Sequence, residues 1–408
     1  MFKEQKYYGE IWLPNKEEAK CFCVLEFKDG EIYLETNLSN NLSGYKIELI
    51  YGVFNSMGYA SMVNNVVKQS TSGIMQAKIY NPEYFFCSPQ HIIEPKYLKM
   101  KEFKIDNSAF NDWIRQFKIY DFIDNKIEQK DLNHKILLTE ESIELEIIKT
   151  TNYNSNQDRL MLINRGFVLF KSNKKLNILD SIELYNRFQK FLLFYFGKSN
   201  HFESFNFRCL GCNEWVSLYF KDTLIKEKSS NFIRLEYKDL KDDLDKLLNH
   251  WYSDDDIQFC VDIIIENLLS QKVSHSRRFT NSLSAYEAYN KRFGRNHKKP
   301  TLERYLHDSK DTIIEISEMN DSLYGNFTQK IIRSRDFFVH GNKNQRDCFT
   351  KFELLYISFL LDFVVGIELS KQMDLSLSNI QKMINSAKSN FIDMQSVNKI
   401  LNQNVFNC

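Results

Sequence analysis

CFCVLEFKDGEIYLET, residues 21–36, places alternating apolar and polar side chains on both sides of an Asp29-Gly30 pair. Cys21, Cys23, Leu25 and Phe27 recur every second residue, the repeat that puts side chains on one face of a strand. Ile32 and Leu34 resume the pattern after the turn. Asp-Gly supplies the positive φ of a tight hairpin connection, so two antiparallel strands are predicted here. Outward from this hairpin, strands are predicted over 45–54, 59–67, 73–80, 97–105, 142–149 and 159–170. One helix interrupts them, capped by Asn107, with Phe110, Trp113, Ile114 and Phe117 at helical spacing. A helix from Asp180 and Ser181 to Phe196 follows, then strands over 201–210, 215–220 and 232–237. So many strands with short connections predict a sandwich-like or barrel-like β domain.

From about Lys238 the apolar period becomes helical. Helices are predicted over 240–251, 254–271, 277–293, 302–319, 323–339, 349–373 and 378–388. The fold class is therefore α+β: a β-rich N-terminal domain over 1–237, with a sub-boundary near 175, and an all-α bundle over 238–408.

Composition narrows the function classes. The 408 residues are 43% hydrophobic and 26% charged, ordinary globular proportions. Lys plus Arg number 54 against 53 acids, a net charge of +1, which argues against a histone-like polyanion binder but permits a local basic site. With 13 Gly and 5 Pro there is no collagenous or Pro/Gly-rich segment. The longest apolar stretch, 354–369, contains Asp362 and Glu368 and is too short to span a bilayer. The opening MFKEQKYYGE has no apolar signal core, so a cytoplasmic protein without a membrane anchor is expected. The eight cysteines show no framework spacing; Cys209 and Cys212 form a lone C-x-x-C that lacks the second pair a zinc site needs. No metal and no cofactor is expected, and a zinc enzyme built on that pair is the least favoured reading.

The motif that carries chemistry is RDFFVHGN, residues 335–342. At 100° per residue, Arg335, Asp336 and His340 share one side of a helix, and Asp336 and His340 have the i, i+4 spacing at which side chains meet. A carboxylate so placed fixes an imidazole's tautomer, and Gly341 suits the end of the helix. Arg292 and His297 repeat the Arg-to-His spacing, but Gly294 lies between them and Lys298-Lys299-Pro300 follows, which reads as a loop. Residues alone leave two readings open: a catalytic constellation, or a helix-terminal histidine beside a solvated salt bridge.

RDFFVHG resembles the R-[polar]-x3-H signature of the HEPN superfamily. Arg278-Phe279 and the run 285–293, AYEAYNKRF, are similar to the HEPN domain of ApeA-type proteins. At the other end, GEIWLP at 9–14, Ile50-Tyr51-Gly52 and 107–120 with Trp113 resemble the ApeA N-terminal domain. This resemblance implies a HEPN endoribonuclease in anti-phage defence by abortive infection, working as a homodimer through its helical domain. Its N-terminal domain would sense a phage-derived trigger, and its substrate would be RNA, tRNA being one candidate. The implied catalytic residues are Arg335, Asp336 and His340. Many HEPN nucleases have Asn where this chain has Asp336, and a carboxylate there must stay paired or it repels phosphate.

Glu287 is a candidate to orient Arg335 from another helix. Arg278, Arg292, Arg295, Lys298 and Lys299 are candidate RNA contacts, by charge. Solvated basic residues and a structural Glu287 are the plainer alternatives. The rival function is a non-catalytic HEPN dimerisation or RNA-binding module in a sensor protein.

Overall fold

The structure, a computed structural model, describes residues 5–28, 30–38, 46–70, 77–95, 98–114, 120–121, 126–127, 132–156, 159–199, 202–209, 213–221, 228–229, 234–269, 273–295, 301–342 and 347–392. Two compact units divide the chain, one from residues 1–186 and 200–227, the other from 187–199 and 228–408.

The first unit is a β-barrel with an extended sheet. Its strands are β1 (Gln5–Trp12), β2 (Cys21–Lys28), β3 (Glu31–Thr36), β4 (Lys46–Phe54), β5 (Gly58–Ser70), β6 (Lys78–Asn81), β7 (Tyr84–Ser88) and β8 (Met100–Asn107). Helix α1 (Ser108–Trp113) follows, then the short pair β9 (Tyr120–Asp121) and β10 (Lys126–Ile127). Beyond these come β11 (Leu132–Leu138), β12 (Ile143–Asn156), β13 (Arg159–Leu176) and helix α2 (Ile178–Phe196). The second half of α2 and β14 (Lys198–Ser199) belong to the other unit, and the first is completed by β15 (Phe202–Cys209) and β16 (Val216–Phe220).

The order β5-β4-β1-β2-β3-β6 closes on itself because β6 also pairs with β5. Strand β5 makes this possible. One edge pairs with β4 over Gly58–Val66, while the other pairs first with β7 (Tyr59–Val63) and then with β6 (Val66–Ser70). Asn64, with φ +56, sits where that edge changes partner; Asn is among the few residues that tolerate this conformation. From β7 the sheet runs on through β16, β15, β8, β13 and β12 to β11.

The predicted 21–36 hairpin is present, in register from Cys23↔Thr36 to Lys28↔Glu31, and Gly30 takes φ +76. Cys23, Leu25, Phe27, Ile32 and Leu34 enter the barrel core with Ile11, Ile50, Met62 and Phe85. Gly9 has a packing reason of its own: a Cβ there would run into the Val53 carbonyl oxygen and lie 2.7 Å from Phe54 Cδ1. Gly9→Ala is expected to destabilise the barrel by about 1–3 kcal/mol through overpacking. The readout is the thermal unfolding midpoint, with the wild-type value as the contradicting result.

Asn107 caps α1 as expected, its Oδ1 accepting from the Ala109 and Phe110 N–H groups. On the outer face of the extended sheet, burial acts to raise the Glu146 carboxyl. Its ion pairs with Lys171 and with Lys135 (3.0 Å) overcome this and hold it at about 2.

The second unit is helical. After β17 (Lys228–Ser229), which pairs with β14, come α3 (Tyr237–Leu240), α4 (Leu244–Ser253), α5 (Asp255–Leu269) and α6 (His275–Phe293). Then follow α7 (Leu302–Asp308), α8 (Lys310–Ser317), a 3-10 turn (Asp321–Leu323), α9 (Tyr324–Phe338), α10 (Lys351–Gln372) and α11 (Leu377–Ile392). Trp251 is fully buried against Phe191, Phe194 and Tyr195 from the second half of α2. No described helix is long and apolar enough to cross a membrane.

Several boundaries differ from expectation. Of the strand predicted over 232–237, residues 232–233 lie outside the described residues, 234–236 have no regular structure, and Tyr237 opens α3, where the Asp239 carboxylate accepts the Glu236 N–H. The helix predicted over 302–319 breaks at Ser309 into α7 and α8. Strands β1, β7 and β11 are additions, as are the two-residue β9, β10, β14 and β17. YFFCS has buried residues on both faces and so lacks alternation, and LNHKILL carries polar residues through its first half.

Candidate functional site

Helix α9 buries Tyr324, Phe327, Thr328, Ile331 and Ser334, a stripe at three- and four-residue steps. Arg335 and Asp336 follow at the margin of that stripe, which leaves them half-buried, with side chains 29% and 41% exposed. The chain beyond is tied back onto α9: the Phe349 N–H donates to Ser334 Oγ at 2.9 Å, and Arg333 Nη1 pairs with Asp347 at 2.9 Å.

Helix α6 brings Glu287 to Arg335. Glu287 Oε1 lies 2.9 Å from Arg335 Nε, and Asp336 Oδ1 lies 3.9 Å from Arg335 Nη1. The expectation that Glu287 meets Arg335 across the bundle is thus met in distance. Its geometry is less complete: Oε1 is shielded from solvent yet receives no well-aligned hydrogen bond. The preceding residue, Tyr286, anchors α6, its hydroxyl donating to the Tyr305 carbonyl (2.6 Å) and bonded to Ser309 Oγ (2.9 Å). Tyr305 itself was not singled out in the sequence. Burial first, and then the Glu287 charge, push its phenol up. A tyrosine on a seven-residue helix carries no sequence signal of that kind.

His340 stands differently from the sequence expectation. The last helical residue is Phe338, and Val339 and His340 form a turn that passes through Gly341 at φ +68. The Asn342 N–H closes this turn on the Asp336 carbonyl at 3.2 Å. His340 is therefore exposed, and no Asp336–His340 pair forms. The chain leaves helical geometry before the i, i+4 relation can operate. The predicted suitability of Gly341 for the helix end holds.

The candidate RNA contacts separate. Arg278 turns inward: Nη2 lies 3.4 Å from Asp362 Oδ2, Nη1 donates to the Asn267 carbonyl at 2.9 Å, and the guanidinium lies over Phe359. Its side chain is 12% exposed, so its donors face the bundle interior rather than a phosphate at the surface. Arg292 Nε donates to Asp256 at 2.7 Å while its guanidinium covers Phe259. Arg295 is 81% exposed, with Asp308 at 3.8 Å, and remains open to a polyanion. Lys298, Lys299 and Cys212 lie outside the described residues. Cys209 is half-buried, and among the described residues no group of three or more His, Cys, Asp or Glu could hold a metal ion.

Chemically, the site offers a half-buried guanidinium for an anion and an exposed imidazole for proton transfer, both at the C-terminal end of one helix. Residues 6–251 match the family described as ApeA N-terminal domain 1. No curated protein and no solved structure matches the chain with statistical significance.

Proposed function

The chain belongs to the ApeA N-terminal domain 1 family of anti-phage proteins, and on that premise we propose an endoribonuclease activity for its helical unit. The activity is of the HEPN kind and metal-independent, and it acts in the cytoplasm by abortive infection. The N-terminal unit binds a phage-derived trigger, and RNA, tRNA among the candidates, is then cut.

In this mechanism the His340 imidazole takes the proton of a ribose 2′-OH as the 2′-oxygen attacks the adjacent phosphorus. Histidine is the side chain most often used for such a transfer. The P–O5′ bond breaks, and the leaving oxygen takes a proton from an acid on the opposite side of the phosphorus. One imidazole cannot easily serve both sides of an in-line displacement, so the partner's His340 in a homodimer supplies the second role. Arg335 holds the phosphate through its planar fork and stabilises the charge that gathers on the pentacoordinate phosphorus. The products carry a 2′,3′-cyclic phosphate and a 5′-OH.

The observation that carries this reading is the half-buried Arg335 guanidinium at the end of α9, with Glu287 2.9 Å from its Nε and an exposed His340 close in the chain. Cleavage of a single-stranded RNA oligonucleotide in EDTA tests it, with the same sequence as DNA expected to survive because it lacks the 2′-OH. Equal cutting of both contradicts the chemistry. One observation favours the rival reading of a non-catalytic dimerisation or RNA-binding module. Among the described residues, nothing fixes the His340 tautomer.

A further inference from the structure

We infer that Glu287 is a brake on the Arg335 site: its carboxylate fills the position a substrate phosphate needs, and activation requires its release. The inference rests on the ribonuclease reading for its substrate class and concerns how that site is regulated.

A guanidinium offers two edges to a phosphate, one through Nε and Nη2 and one through Nη1 and Nη2. In this structure each edge already has a carboxylate. Glu287 lies 2.9 Å from Nε, and Asp336 lies 3.9 Å from Nη1. One cation therefore faces two carboxylates, and among the described residues no other cation pairs with either of them. An approaching phosphate meets a net negative pair of edges. Dimerisation does not cure this, because a second copy brings its own Glu287 and Asp336 with its Arg335.

The form of the contact fits a displaceable occupant better than a permanent prop. A carboxylate that positions an arginine normally receives in-line, often paired hydrogen bonds. Here Glu287 Oε1 is held near Nε by charge, without an aligned N–H, although it is shielded from water. Such an oxygen gains little beyond Coulomb attraction and gives way readily to a better-aligned phosphate. Its helix is anchored on both sides of the residue, by Tyr286 at Tyr305 and Ser309 before it and by Arg292 at Asp256 after it. Release therefore means a shift of α6 against α9, or a change of Glu287 rotamer, rather than local fraying.

The test is fluorescence anisotropy of a fluorescein-labelled oligouridylate in EDTA. It uses full-length His340→Ala protein, so that the probe survives, with and without Glu287→Gln. Removing the carboxylate charge is expected to tighten binding about tenfold, the scale of one charge-assisted contact. It should also steepen the dependence of log K on log salt by about 0.7, the mark of one additional phosphate contact on a single strand. Adding Arg335→Ala should abolish both gains. With His340 intact, Glu287→Gln should raise basal cleavage. Unchanged or weaker binding, or cleavage falling as it does in Arg335→Ala, overturns the brake and makes Glu287 a positioning residue. Tighter binding without cleavage by any variant keeps the brake on RNA binding and removes the ribonuclease reading instead.

Discussion

Replacing His340 with alanine is expected to lower the rate of RNA cleavage by about 10²–10⁴-fold, the range for losing a positioned proton-transfer group. Folding should be unaffected, because His340 is exposed and lies in a turn closed by backbone groups of Asp336 and Asn342. The circular dichroism spectrum and thermal midpoint should match wild type while product formation collapses. Arg335→Lys serves as the companion. An ammonium keeps the charge but presents no planar fork, so it should fail to restore activity. A His340→Ala enzyme that cuts at the wild-type rate removes this residue from the mechanism, whatever the activity's origin.

The second large effect concerns stability rather than catalysis. Arg278→Met leaves Asp362 in the bundle interior without its cation. Asp362 is fully buried, and its remaining hydrogen-bond partners are Ser282 and Asn267, the latter 3.3 Å away. Breaking a buried pair on one side costs about 3–5 kcal/mol, because the stranded charge keeps its desolvation penalty. Burial pushes the Asp362 carboxyl up to about 6, against the downward pull of Arg278.

That shift fixes the sign of the pH dependence. A carboxyl whose folded pKa is raised contributes stability that is complete below its unfolded pKa and is lost as pH rises through the folded one. For Asp362 the loss runs from about 4 to about 6. Without Arg278 the folded pKa rises further, so the window widens upward and the mutant's deficit is greatest at neutral pH. Thermal melts of Arg278→Met at pH 5 and pH 8 should show the larger deficit at pH 8. A deficit independent of pH would mean that lost packing over Phe359, rather than the stranded carboxylate, governs the cost.

The same residue shows where sequence reading succeeds and where it stops. Arg278 looks like any basic residue in a polar helix start, and only the partner it meets on α10, 84 positions later, turns it inward. The 21–36 hairpin was legible because alternation and an Asp-Gly turn are local signals that agree. Closure of the barrel was not, since it depends on β5 changing partner at Asn64, a long-range event without a periodic mark. Strand β7 was hidden for a related reason: burial on both faces removes the alternation that announces a strand.

In the candidate site, Glu287 meeting Arg335 followed from helix placement and charge. The failure of Asp336 to meet His340 turned on where α9 ends. Helix ends are set by turn geometry within a residue or two, and the two residues past Phe338 are enough to separate an i, i+4 pair.

The central claim is RNA cleavage by 2′-OH attack at Arg335 and His340. Its most direct test is to incubate 3′-labelled total tRNA in EDTA with wild-type protein and with His340→Ala, using trigger-containing lysate from infected cells if the resting protein is silent, and to map the new ends. The account predicts fragments from wild type alone, ending in 2′,3′-cyclic phosphate and beginning with 5′-OH. Fragments that begin with 5′-phosphate, or equal cleavage by both proteins, would contradict it.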